Sequence, residues 1–121
     1  MPHSVADAKQ WEIWRVVWRH EDGTSKPRPA LAVSSQAYNA ANGHAVFVKI
    51  TSQDHSNVPG RLKIDSANPD FRHTGLDVTS WIHGFDDQRV VDADLLDRLG
   101  HVNAITAVYL AATLKAIIPK G

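Results

Sequence analysis

Apolar residues in this chain fall into short runs separated by turn-forming residues, which is the spacing of strands rather than of long helices. Trp11 to Trp18 reads WEIWRVVW, and its β-branched and aromatic content predicts a first strand. His20 to Pro29 (HEDGTSKPRP) is dense in turn residues and predicts a loop, with the prolines flanking Arg28 holding that backbone extended. Ala30 to Ser34 is a short apolar run, read as a buried strand, and Gln36 to Gly43 predicts a turn or short helix that ends at Asn42-Gly43. His44 to Thr51 (HAVFVKIT) is the strongest strand pattern, and its nearly continuous apolar character predicts that both faces are covered. Val58-Pro59-Gly60 then turns the chain into Arg61 to Asp65, and Ser66 to Thr74 reads as a polar loop.

The second half predicts strand pieces at Leu76 to Ile82 and Gln88 to Val91, with a kink at His83-Gly84. Asp92 to Leu99 reads as a short helix, with Asp92 as N-cap and Gly100 just past its end. Asn103 caps a final helix from Ala104 to Ile118, before Pro119. Ile105, Val108 and Ala112, with Leu114 or Ile118, fall near helical spacing, so the pattern turns that face toward the sheet. The expected architecture is mostly β or α+β: a small closed sheet of five to seven short strands and a C-terminal helix. Residues 1–10 read as a flexible leader and residues 11–121 as one domain, with no internal repeat or linker to divide it.

Composition narrows the class. A chain of 121 residues with 43% hydrophobic and 21% charged residues has the balance of a folded single domain. The absence of cysteine excludes disulfides and thiolate zinc sites and predicts a cytoplasmic location. The leader has no apolar stretch of the signal-peptide kind, and Ala104 to Ile118, interrupted by Thr106, Thr113 and Lys115, is too short and polar to span a bilayer. No membrane association is expected. The 13 Lys and Arg residues balance the 13 Asp and Glu, which argues against coating nucleic acid by bulk charge but leaves room for a local phosphate-gripping groove.

No Gly-rich phosphate loop, HExxH pair or GxSxG elbow is present, and no metal or cofactor is expected. The seven histidines are scattered without ligand-like spacing, and each taken alone reads as a surface residue. The more specific signal is Lys26-Pro27-Arg28-Pro29 before one buried strand and Ile50-Thr51-Ser52-Gln53 at the end of the next. A strand beginning at Arg28 and one ending at Thr51 can pair antiparallel, which puts both residues at one edge of the sheet. A guanidinium beside two hydroxyls makes a phosphate site. The plainer alternative is a rigid proline turn into a strand, with Thr51 present for its β-propensity.

At this point the chain resembles the MazF/PemK toxin family. Trp11-Glu12-Ile13-Trp14 is similar to the family's opening G-(D/E)-I-(V/W), and Arg28 to Ser34 to its RPALVIS strand. Tyr38-Asn39 stands where members carry YN or FN. Phe47 to Ser52 resembles VVVPITS, and Leu99 to Asn103 the LGxLS element before the last helix. The resemblance covers about residues 11–118 and implies an SH3-like barrel, a homodimer, and a groove for single-stranded RNA controlled by a cognate antitoxin. It also implies metal-independent endoribonuclease activity by 2′-hydroxyl attack. The matching catalytic positions are Arg28 and Thr51, with Ser52 adjacent.

Some PemK-type members also use Arg and Asp on the late strand. With one inserted residue, His83 stands in for that Arg and Asp86 or Asp87 for that Asp; the alternative is a polar loop pair. Arg15, Lys49, Gln53 and Arg61 are candidate substrate contacts. Trp81 and Trp18 remain open between core and base-stacking platform, and Trp14 reads as core. Two departures stand out: His20 to Pro27 lacks the family's GxExxxxRP loop, and the late strand lacks plain R-x-D spacing. They favour the rival reading, a catalytically weak or inactive barrel that binds RNA or poisons a protein target as CcdB-like toxins do.

Overall fold

The computed structural model describes residues 3–53 and 61–120. They form one six-stranded antiparallel sheet with a C-terminal helix, the mostly-β class expected. The strands are β1 (Glu12–Arg19), β2 (Ser25–Ala32), β3 (Ala45–Thr51), β4 (Arg61–Ile64), β5 (Ser80–Val90) and β6 (Leu95–His101), in the order β4-β5-β3-β2-β1-β6. The helices are α1 (Gln36–Asn42), between β2 and β3, and α2 (Ala104–Thr113). The Val58-Pro59-Gly60 turn lies outside the described residues.

Strand alternation sends side chains to two faces, and each face has its own core. One gathers Trp14, Val16, Trp18, Ala30, Ala32, Phe47 and Leu95. The other gathers Ile13, Leu31, Val46, Val48, Ile50 and Ile82, with Leu110 and Leu114 from the C-terminal segment. β3 contributes to both clusters, which is why it reads as a continuous apolar run.

Several sequence expectations need correction. β2 begins at Ser25, so Pro27 and Pro29 lie inside a strand, opposite Val17 and Arg15 of β1. Leu76 to Thr79 precede β5 rather than belonging to it. The two late pieces are one strand whose register jumps: Val48 pairs with Asp87, but Lys49 pairs with His83, so Gly84, Phe85 and Asp86 bulge out. Asp92 to Leu99 is no α-helix: a 3-10 turn at Asp92–Asp94 leads into β6, which pairs with β1. Pairing with an available edge overrides the local helical signal there.

α2 also turns the other way. Asn103 caps it, accepting from the Thr106 N–H at 2.7 Å. Leu110 and Leu114 face the core, whereas Ile105 is 83% and Val108 73% exposed, and Ala112 is exposed too. The leader is packed from Ser4 onward: a 3-10 turn at Val5–Asp7 buries Val5 and Ala8, and the Val5 N–H donates to Asp92 at 2.8 Å. α1 closes on this segment through Asn39, which is fully buried and donates to the Ala8 carbonyl at 3.0 Å.

Glu12 is the buried charge that joins the first and last strands. It accepts from the Lys9 backbone N–H at 2.6 Å, the Trp14 indole at 3.2 Å and Arg98 Nε at 2.5 Å. Burial pushes its carboxyl up, but the Lys9, Arg98 and Trp14 donors outweigh that and hold it below the ordinary carboxylate range. A depressed folded-state value stabilises above the unfolded carboxylate range, and the gain is lost as pH falls through the folded value. Glu12→Gln should therefore cost about 1–3 kcal/mol at pH 7 by urea unfolding. The gap from wild type should shrink below about pH 4. A gap independent of pH would mean that Glu12 acts by packing alone.

Candidate functional site: a groove where two strands part

The β2–β3 ladder has three rungs, Ala30↔Lys49, Leu31↔Val48 and Ala32↔Phe47. Beyond it β2 runs on to Ser25 beside β1 alone, while β3 runs on to Thr51 beside β5 alone. The reason lies in which edge each backbone group faces. Ala32 O accepts from Trp11 N at 2.7 Å on the β1 side, and Val33 N donates to Val46 O at 2.9 Å on the β3 side. Alternation therefore points the nitrogens of Leu31, Pro29 and Pro27 at β3. The last two are prolines with no N–H to give, so the ladder stops and the strands diverge.

The register extends by count to place Arg28 opposite Thr51, on the same face as Lys49. A groove of about 820 Å³ opens there. Its lining includes Arg15, His20, Arg28, Pro29, Lys49, Thr51, Ser52 and Gln53, together with Gly75, Leu76, Asp77, Val78, Asp97 and Leu99. Arg28, Thr51, Ser52, Arg15, Lys49 and Gln53 are thus brought together as the sequence indicated. Thr51 Oγ1 accepts from the Gln53 N–H at 3.2 Å, which leaves its proton free to donate.

The remaining candidates lie elsewhere. His83 is buried in β5, opposite Lys49 and Arg61, and does not line the groove. Asp86 sits in the β5 bulge, on an adjoining depression of about 340 Å³ that shares His20 and Lys49 with the groove. Arg61 lines a small cleft beside Tyr109 and Leu114. Trp81 is 7% exposed and Trp18 2%, so both are core residues rather than stacking platforms.

The groove carries three Arg and Lys side chains against two Asp. Arg15 is held by Asp97 at 2.7 Å. Among the described residues, Arg28 and Lys49 have no carboxylate partner; Arg28 Nη1 donates to its neighbour's carbonyl, Pro27 O, at 2.9 Å. His20, which the sequence left among scattered surface histidines, is the imidazole on the groove wall. Its Nε2 is buried without a hydrogen-bond partner among the described residues. The loop after it is pinned by Asp22, whose carboxyl is held below the ordinary range by the Thr24 hydroxyl at 2.6 Å and the Thr24 N–H at 2.9 Å. No spacing rule singled out His20; its signal was proximity in chain to the Arg28 strand.

Another part of the lining depends on two glycines. A Cβ on Gly75, at φ +71°, would stand 2.1 Å from Leu99 O, and one on Gly100 would stand 2.1 Å from His73 O. The segment after the 3-10 turn Pro69–Thr74 therefore lies backbone to backbone on β6. Gly100 is a close-approach residue within a strand and not the end of a helix.

The chain is thus a small β-protein with a groove at the mouth of a diverging strand pair and an arginine and two hydroxyls among its lining residues. A family profile described as "PemK-like, MazF-like toxin of type II toxin-antitoxin system" matches residues 9–118, and the chain belongs to that family. Among solved structures it is similar to MazF from Deinococcus radiodurans, at 15% identity and TM-score 0.70, covering 91% of this chain and 94% of that one. It is also similar to the Mycobacterium tuberculosis toxin MazF-mt6, at 19% identity and TM-score 0.67, covering 87% and 93%. A third is an endoribonuclease in complex with its cognate antitoxin from a mycobacterial species, at 18% identity and TM-score 0.68, covering 94% and 99%. A comparison with curated protein sequences finds no significant match. No helix among the described residues is long and apolar enough to cross a membrane.

The wall makes a prediction that needs no substrate. Gly75→Ala should lower stability by about 2–4 kcal/mol, because left-handed strain and a backbone clash add. Gly43→Ala, at φ +69° with open space around it, should cost only about 1–2 kcal/mol. Equal losses in urea titrations would show that the close approach to β6 is not a constraint.

Proposed function

We propose that this toxin is a metal-independent endoribonuclease that cuts single-stranded RNA by attack of the 2′-hydroxyl, and that it acts in the cytoplasm. The observation that carries the reading is Arg28, without a carboxylate partner among the described residues, lining one groove with Thr51 where the β2–β3 ladder opens, in a chain of the PemK/MazF family.

The reaction needs proton removal from the 2′-oxygen, stabilisation of charge at phosphorus, and protonation of the leaving 5′-oxygen. Arg28 meets the non-bridging oxygens with its fork of donors, and the Thr51 and Ser52 hydroxyls add hydrogen bonds. His20, the imidazole on the groove wall, takes the 2′-proton. Arg15 and Gln53 on the same walls steady the flanking chain. His83 and Asp86 are left out of the chemistry because neither lines the groove.

The protein works as a homodimer held in check by a cognate antitoxin. The outward face of α2, with Ile105, Val108 and Tyr109 exposed, supports the first point, since a second copy would cover it. Similar folds solved with an antitoxin support the second. The groove's small cationic excess suits an acidic antitoxin segment.

Purified protein free of antitoxin, incubated with long single-stranded RNA in EDTA, should give discrete fragments with 5′-hydroxyl ends. Arg28→Ala should cut about 10²–10³ times more slowly with unchanged thermal unfolding. Intact RNA with folded wild-type protein would favour the binding-module reading, and cutting undiminished in Arg28→Ala would remove Arg28 from the site.

A further inference from the structure

The groove leaves one step without a donor: the leaving 5′-oxygen needs a proton, and Arg28 holds its own too firmly to supply one. Lys49 has the right placement. It sits on β3 two residues before Thr51, so alternation gives both the same face. It pairs across the ladder with Ala30, whose small side chain leaves the space toward Arg28 open. It lines both the groove and the depression behind it, and so stands where they meet, as does His20. Two other basic residues near it are committed, Arg15 to Asp97 and Arg19 to Asp94, each at 2.7 Å, whereas Arg28 is left to meet the phosphate. Lys49 has no carboxylate partner among the described residues.

We propose that Lys49 is the general acid of this site. The inference rests on the nuclease reading above. The 2′-oxygen forms a bond to phosphorus as its proton passes to the His20 imidazole. The bond from phosphorus to the 5′-oxygen breaks as Lys49 Nζ gives that oxygen a proton. The products are a 2′,3′-cyclic phosphate and a 5′-hydroxyl, and water returns the proton from His20 to Lys49, so the cycle closes without a cofactor. An ammonium is the side chain for this work, since a guanidinium in the same place keeps the charge but releases no proton.

The test uses a short single-stranded RNA containing a sequence the wild type cuts, made with either oxygen or sulfur as the 5′-bridging atom. A thiolate leaves without protonation. Lys49→Ala and Lys49→Arg should each cleave the oxygen substrate about 10²–10⁴ times more slowly than wild type, yet cleave the sulfur substrate within a few-fold of it. Arg28→Ala should be slow on both. Equal losses of Lys49→Ala on both substrates, or restored oxygen cleavage in Lys49→Arg, would show a charge-only role and overturn the proposal. Failure to find any RNA that folded, antitoxin-free wild type cuts would instead overturn the nuclease reading on which it rests.

Discussion

Two missing hydrogens shape the functional surface. A β-strand presents its N–H groups alternately to its two neighbours, and Pro27 and Pro29 both fall on the side facing β3. On the β1 side nothing is lost, and the ladder runs from Ile13↔Leu31 to Arg19↔Ser25. On the β3 side pairing ends after three rungs, so one strand edge stays continuous while the other opens. The two prolines thus anchor Arg28 on a well-paired strand and keep β3 from closing over it.

What frames the opening is rigid for separate reasons. On one wall, backbone lies against backbone at Gly75 and Gly100, where no side chain fits. Glu12, itself buried, ties the Lys9 backbone, the Trp14 indole and Arg98 of β6 together. Trp11, which leads into β1, adopts φ +73°, a left-handed backbone rare for a bulky residue. It is held there by hydrogen bonds to Ala32 and from Val102. Groove walls set on such fixed backbone can hold their side chains in place without a ligand.

The sequence displayed the site better than the frame around it. Arg28 and Thr51 could be paired on paper because the connection between their strands is short and β3 is plainly a strand. The Tyr38-Asn39 pair was visible too, though its purpose emerged only when Asn39 was found buried against Ala8. The failures have one cause, long-range pairing that local pattern does not encode. Leu95 to Leu99 has a helix-like spacing of leucines, and only the free edge of β1 makes it a strand. His83 could be matched by counting residues, but the three-residue bulge beside Lys49 and burial in β5 take it out of the groove. His20 was overlooked because a turn loop gives no period from which its direction can be read. The core face of α2 was misjudged because Ile105 and Val108 share the spacing of a core face, while Leu110 occupies it together with Leu114, which the sequence had offered for it.

The groove walls carry no tryptophan, tyrosine or phenylalanine among the described residues, since the large rings near them are consumed by the cores. A single strand of nucleotides laid in such a channel would find no ring but the His20 imidazole to stack on. Its grip would come mostly from charge and hydrogen bonds, with most of the stacking worth about 1–3 kcal/mol per base forgone. With three Arg and Lys side chains lining the channel among the described residues, a bound polyanion would release few counterions, so ionic strength would tune such a complex gently.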